Sequence, residues 1–465
     1  MSPVTIAIAL TALALLIGAT FLWRRALFFS LPFLAALNGV PIAIRGSQIR
    51  VDQLAACLLC ATLLAAVIHG RRVLRTDAIT WWLAAILTMN AISSVLNSPT
   101  LGYSLTQCVN LASAWSLYVL VINFIDSPHE LTLFLRRELQ AASIACVVAI
   151  LAFVLAVLGF NLGGAEVSAS AATRLTAAYG AFGTLEEPNI LGSFAAAHLV
   201  LAVALMSAKH DSETELPSPR LLRWVAGTTG IALLLSFTRA AWLGAVFGIL
   251  FAAMLRQRTT ERVARRTRLI VPAIAVVVVA VALILSPGDT GALLRFKLSN
   301  LVNLESQTAV VRAMVYGLAI DQVTAHPIVG WGTFTFAPLV AQGVDFQQFT
   351  NWKNLWIGNY LLLALHDTGV IGLGLWCGML WSVIARAMRA VRALRAPAPG
   401  ASDVTLALTT AVVTMLIPFL ATNGFSLGFP WLLIGLLGVS ARRAATASAS
   451  APAAAPLVPQ PVDAT

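Results

Sequence analysis

The feature that most constrains this chain is a repeat of apolar runs, each about twenty residues long, from Val4–Trp23 to a last run at 429–440. As a helix, roughly twenty residues cross the hydrocarbon of a bilayer. Lipid offers the backbone no hydrogen-bond partners, so such runs must satisfy their own amides and become helices. The fold class expected is therefore all-α, a polytopic transmembrane helical bundle. Composition removes the soluble alternative. Only 11% of the 465 residues are charged, against about a quarter in soluble domains, too few for a polar shell.

Spans are expected at 4–23, 26–44, 52–69, 78–96, 104–124, 139–160, 189–208, 221–237, 240–255, 269–286, 357–385, 403–422 and 429–440. The second and last are short or interrupted, which makes twelve or thirteen. No basic stretch precedes Val4–Trp23 and no small-residue cleavage site follows, so it reads as an uncleaved first span.

The net charge of +11 raises the question of a nucleic-acid partner, but its placement answers against one. The basic residues sit in short linkers: Arg71, Arg72 and Arg75; Arg136 and Arg137; Arg256 to Arg268; Arg386 to Arg395. That is the positive-inside pattern of cytoplasmic loops. It puts 97–103, 161–188 and 287–356 on the opposite side and the C-terminus inside. Cys57, Cys60, Cys108, Cys146 and Cys377 all lie within apolar runs and read as small packing residues, not as metal or redox motifs.

Residues 1–443 are thus expected to form one membrane domain, with a long outer loop at 287–356 and an Ala/Pro-rich, disordered tail at 444–465. In the loop, Val310, Val311, Met314, Val315, Leu318 and Val323 recur at helical spacing and predict a helix over about 307–325. His326-Pro327 ends it, and Gly330-Trp331-Gly332 reads as a turn. Phe334, Phe336, Phe346, Phe349, Trp352 and Trp356 then form either an interfacial belt or a surface for stacking sugars.

Polar groups in such a chain are costly and draw attention. Asn90, Gln107, Asn110 and Asn423 are expected to be hydrogen-bonding links between helices. Arg239, in the turn Ser236–Gly244, either snorkels to the interface or offers a planar cation to phosphate oxygens. Arg312, on the loop helix, pairs with Asp321 or Glu305, or does the same. Glu186 and Glu187 precede Pro188-Asn189 at the start of a span. They either cap that helix, where its dipole favours carboxylates, or line a polar wall facing a sugar. No carboxylate pair with the context of a divalent-cation site appears on the outer side, so neither metal nor cofactor is expected.

In this order, these motifs resemble the O-antigen ligase and polymerase superfamily of bacterial inner membranes. The matching residues are the glycine-rich turn with Pro188-Asn189, the SFTRAAWLG turn, and Arg312-Ala313-Met314-Val315 leading to His326-Pro327-Ile328-Val329-Gly330-Trp331-Gly332. Gly358-Asn359-Tyr360-Leu361 and Asp367-Thr368-Gly369-Val370-Ile371-Gly372-Leu373 follow. The likeness is best over 175–375.

It implies a glycosyltransferase that takes a glycan from undecaprenyl diphosphate on the periplasmic face and hands it to a hydroxyl of a polysaccharide or of lipid A-core. Polysaccharide-assembly proteins and the bilayer are the other partners implied. Arg239 and Arg312 would hold the diphosphate, with His326 beside them in catalysis. Glu186, Glu187, Asn189, Trp331, Asn359 and Asp367 would bind substrate, Asp367 standing where the family usually has glutamate.

One departure bears on the reaction. Ligases of the family carry His-Asn, the histidine serving as base, where this chain has Gly358-Asn359. His366 lies eight residues on, about 12 Å of helix, and His326 is the expected substitute. Glycine at 358 shifts the expectation from lipid A-core ligation to a surface-polysaccharide polymerase. A transporter or flippase is the rival from another class, although no inverted repeat is visible. A non-catalytic relative is the last alternative.

Overall fold

The computed structural model describes residues 22–40, 42–44, 47–158, 160, 163, 165–166, 180–208, 216–257, 307–343, 356–393 and 399–450. Nearly all of span 4–23, the basic linker 258–268, span 269–286, loop segments 287–306 and 344–355, and the chain beyond 450 lie outside them. With those segments go Glu305, Phe346, Phe349 and Trp352.

The described helices are α1 (22–35), α2 (Val51–Ile68), α3 (Ala78–Asn97), α4 (Leu101–Phe124), α5 (Pro128–Val157), α6 (Pro188–Met206), α7 (Pro219–Leu235), α8 (Arg239–Gln257), α9 (Gln307–Ala325), α10 (Phe336–Gly343), α11 (Tyr360–Ala393), α12 (Pro399–Phe419) and α13 (Phe429–Ser450). Seven of them, α2 to α6, α8 and α11, are long and apolar enough to cross a membrane. The protein is a polytopic helical bundle.

Three boundaries differ from expectation. The 26–44 run is helical only to residue 35. A short antiparallel hairpin, β1 (Ile42–Ile44) with β2 (Ser47–Ile49), follows the intervening turn. Proline at 41 has no amide to donate within a helix, which suits an end of the helix ahead of it. Helix α5 starts at Pro128, eleven residues before the expected span, because Ser127 and Glu130 form a capping box. At the other end, α13 continues to Ser450, past the expected boundary at Ala444, as its alanines favour helix.

Helix α6 is the centre. Every residue from Ile190 to Leu205 is buried, as a helix apolar all round must be. It packs on α7, α8, α12 and α5. Small residues set these approaches: at Gly248 of α8, any side chain would overlap Thr414 of α12. Midway along α6, His198 Nε2 lies 3.0 Å from Glu138 Oε1 of α5, both buried. The sequence reading did not single out this tie.

At the basic end, the linkers do more than carry charge. Asp126 accepts from Arg72 and Arg75, each at 2.6 Å. Arg256 of α8 donates to the Ala204 and Ser207 carbonyls at the end of α6, satisfying C-terminal acceptors that a helix leaves open. Asp77, the N-cap of α3, accepts from Thr80 N, Tyr118 Oη at 2.6 Å and Arg386.

Burial raises the Asp77 pKa. The Tyr118 and Thr80 hydrogen bonds and the Arg386 charge outweigh it and hold the carboxyl below the usual aspartate range. A depressed carboxyl pKa contributes stability above the unfolded value of about 4, lost as pH falls through the folded value. Asp77→Asn is therefore expected to lower the unfolding temperature of detergent-solubilised protein at pH 7 by the equivalent of about 1–2 kcal/mol. The gap from wild type should close below about pH 4. An unchanged gap there would show that the carboxylate charge is not the cause.

Candidate functional site

The end of the bundle away from the basic clamp gathers motifs that are distant in sequence. The first junction joins α9's exit to a break in α11. Gly369 has φ +64° inside α11 and interrupts it. A broken helix leaves carbonyls and amides that must find other partners. The loop after α9 supplies them: Trp331 N donates to His366 O at 3.0 Å, Gly332 N to Asp367 O at 2.9 Å, and Val370 N to Pro327 O at 2.9 Å. Gly330, at φ +79°, allows this closeness, for a side chain there would overlap Asp367 and Thr368 backbone. Each motif is thus the hydrogen-bond complement of the other.

Asp367 belongs to this junction. It is buried, with Oδ2 accepting from Phe334 N at 2.8 Å and Oδ1 2.9 Å from His366 Nδ1. His366 Nε2 reaches Gln322 Oε1 of α9 at 2.8 Å. Trp331 Nε1 donates to Gln322 O at 2.6 Å, and its ring lies edge-on to His326 with centroids 4.2 Å apart. Phe336 packs on His366, so this aromatic at least is interior. Against Asp367 lies a cavity of about 30 Å³, room for a water or two, lined also by Asn90, Tyr360, Asn423 and Ser426.

The second grouping, at the same end, is a ring of contacts through the ends of α6, α8, α9 and α11. Arg239 begins α8, and its guanidinium lies within electrostatic range of Arg312 on α9. Tyr316, one turn along from Arg312 and on the same face, donates to Gly358 O at 3.0 Å. Burial raises the Tyr316 pKa, while the Arg312 charge opposes the rise. Gly358 faces the Ala421 carbonyl. The next residue, Thr422, donates to Glu187 Oε1 at 2.8 Å. Pro188 O, beside Glu187, accepts from Thr238 Oγ1 at 2.9 Å, and Thr238 precedes Arg239. The circuit closes with two cations on one arc and a carboxylate on another.

The structure therefore brings Arg239, Arg312 and Glu187 onto one ring and leaves His326 out. From Arg312 to His326 is fourteen residues of α9 and its end, about 21 Å of rise. Asp321, nine residues from Arg312, is also too far along the helix to pair with it. Asn359 is the N-cap of α11, accepting from Leu361 N and Leu362 N at 3.0 and 3.1 Å. Asn189 lies in the first turn of α6, half-buried, and Ser193 Oγ donates to its carbonyl.

Glu187 is the N-cap residue of α6 by position, but its side chain makes no capping bond. The capping expectation does not describe it. Glu186 keeps an open side, while its carboxyl sits against protein near Arg50, Glu187 and Asp52. Burial first, then the two carboxylates, push its pKa up; Arg50 pulls it down.

Sequence reasoning missed Arg50, Asp52, Tyr316 and Thr422. Arg50 Nε contacts Asp52 Oδ1 at 3.2 Å, and its Nη2 donates to Ser426 O at 2.8 Å. A signal for Arg50 was present: it precedes a span whose other end carries Arg71, Arg72 and Arg75, so it stands on the wrong side for the positive-inside pattern. Tyr316 and Thr422 carried no local signal. Among the described residues, no three His, Cys, Asp or Glu side chains converge as metal ligands.

No curated protein matches the chain. Residues 224–377 match the family model described as O-Antigen ligase. The match runs from α7 to mid-α11 and includes both arginines, the loop–kink junction and Gly358, so this third of the chain is similar to the O-antigen ligase family.

Proposed function

We propose that the protein transfers a glycan from undecaprenyl diphosphate to a hydroxyl acceptor at the periplasmic face of the bacterial inner membrane, as a surface-polysaccharide polymerase. The carrying observation is the approach of Arg239 to Arg312. Two guanidiniums within range of each other's charge concentrate positive charge that a shared anion would suit. A diphosphate fits that need: guanidinium forks bind phosphate oxygens in pairs.

In the transfer, the bond between the anomeric carbon and the diphosphate oxygen breaks, and negative charge builds on the leaving group. Fixed donors aimed at that charge stabilise the transition state more than the ground state. Glu186, Arg50 and Asp52 make the neighbouring wall polar, suited to sugar hydroxyls. The donor's apolar tail stays in the lipid beside α8, whose Leu243, Val246, Phe247 and Leu250 are exposed.

Ligation to lipid A-core is the second reading, favoured by the description of the matching family. Separating by size the glycans of cells lacking this protein tests both. Polymerase function predicts lipid-linked single repeat units and no long chains. Long lipid-linked chains accumulating without transfer to lipid A-core would select the ligase. An unaltered profile would reject both.

A further inference from the structure

The transfer reading leaves the cavity against Asp367 without a role, and its lining is specific enough to assign one. We infer that this cavity is a subsite for the acetamido group of a sugar on the acceptor glycan; this deepens the transfer reading above and rests on it. Tyr360, Ala364 and Asp367 of α11 line it, together with Asn90 of α3 and Asn423 and Phe425 of the turn between α12 and α13. Residues 360, 364 and 367 share one face of α11. Leu362 instead packs on the cluster that Val315 and Ala319 of α9 build with Ile357, and two residues of helix turn by about 200°. Leu363 lies between the two faces and meets both the cavity and that cluster.

The helix that carries Arg312 and the cavity thus stand on opposite faces of the start of α11. Gly358, whose carbonyl accepts from Tyr316 of α9, lies two residues before Tyr360, and Thr422 one residue before Asn423. A donor diphosphate held from the α9 side leaves the opposite face to a second glycan. Transfer from one sugar to another needs two such approaches to one point, which assigns the cavity to the acceptor.

The lining selects a small neutral group with an apolar part. Among the described residues, none hydrogen-bonds the indole N–H of Trp376, the hydroxyl of Tyr360 or the side-chain amide of Asn423, residues that all line the cavity. Asp367 already accepts from Phe334 N, and Asn90 Oδ1 from Thr333 Oγ1, but a carboxylate or amide oxygen can accept twice. An indole N–H can only donate, which tells against a cation, and the Asp367 carboxylate tells against an anion. Leu111 and the Phe334 and Phe425 rings favour an apolar group over a bare hydroxyl. An acetamido group meets each of these demands. Its carbonyl accepts from the indole, hydroxyl or amide donors, its N–H donates to a lining oxygen, and its methyl packs on the rings. About 30 Å³ suits one substituent in place of a water or two, not a whole sugar ring.

The test uses full-length protein in lipid vesicles saturated with undecaprenyl diphosphate. The probes are the methyl glycosides of N-acetylglucosamine and N-acetylgalactosamine, each paired with the glycoside that carries a hydroxyl in place of the acetamido group. One acetamido glycoside should bind at least about tenfold more tightly than its partner, which leaves the lining donors unpaired. Tyr360→Phe and Asn423→Ala, at matched unfolding temperature, should each reduce that preference to about threefold or less. Binding of undecaprenyl diphosphate should stay within about twofold of wild type in both variants. Equal binding within both pairs would overturn the assignment, as would a preference that neither variant changes. A second arm compares undecaprenyl-diphosphate-linked N-acetylglucosamine with its glucose counterpart on protein free of lipid diphosphate. A preference found only there, and lost in the variants, would give the cavity to the donor and overturn the acceptor assignment. Wild-type protein that binds no undecaprenyl diphosphate would instead bring down the transfer reading itself, whatever the glycosides do.

Discussion

Replacing Arg239 or Arg312 by alanine is expected to cut glycan transfer at least about a hundredfold each, equivalent to about 3 kcal/mol of transition-state stabilisation. The size follows from the environment. Both groups are partly buried, where charge-assisted hydrogen bonds are stronger than in water. Lysine is a poor substitute, since one ammonium cannot present the planar pair of donors that a phosphate accepts. Arg239→Lys and Arg312→Lys should therefore recover only a small part of the rate.

The measurement is transfer from an undecaprenyl-diphosphate-linked repeat unit in vesicles, with protein amount and unfolding temperature matched. Because both arginines serve one anion, the double variant should cost less than the product of the single effects. Two alanine variants with near-normal chain length would sink the shared-diphosphate reading.

Alanine at Gly330 or Gly369 should destabilise the protein by about 3–5 kcal/mol. Two costs combine: a positive φ held by a residue with a Cβ, and overlap with backbone that cannot move aside. At Gly369 the overlap is with Ile328 and Val329, at Gly330 with Asp367 and Thr368. Neither backbone can withdraw, because the paired amides and carbonyls would then be stranded in a buried setting. The effect should reach the site as well. The junction fixes α9 against α11, and so Arg312 against Gly358. Thermal unfolding in detergent micelles checks the first expectation and transfer rate the second. Alanine at exposed Gly317, whose added side chain meets nothing within 4 Å, is the comparison; equal losses at all three glycines would refute the packing argument.

The candidate site was legible only in part. Arg239 and Arg312 stand out because charged residues near a bilayer are costly, and the loop helix at 307–325 follows from its apolar spacing. Its stripe is less complete than the pattern suggests: Val315 is buried, while Met314 is exposed. Histidine suits acid–base work, but the length of α9 carries His326 away from the ring. Asp367 and Asn359 were drawn from motif likeness, and both prove to be occupied in holding the backbone. Motif residues of this kind serve geometry as often as chemistry, and residue type alone does not separate the two.

What the sequence determined by itself was the bundle. Helix-length apolar runs and the placement of basic linkers follow from the solvent properties of lipid, which act on each segment independently. What only the tertiary structure decided was which polar residues meet. The complementarity of the 327–332 loop with the Gly369 break and the meeting of Glu187 with Thr422 join residues far apart in the chain. So does the reach of Arg50 to Ser426. Contacts like these depend on how helices pack side by side, and packing is set by small residues and shape across many helices at once, information that no single segment carries.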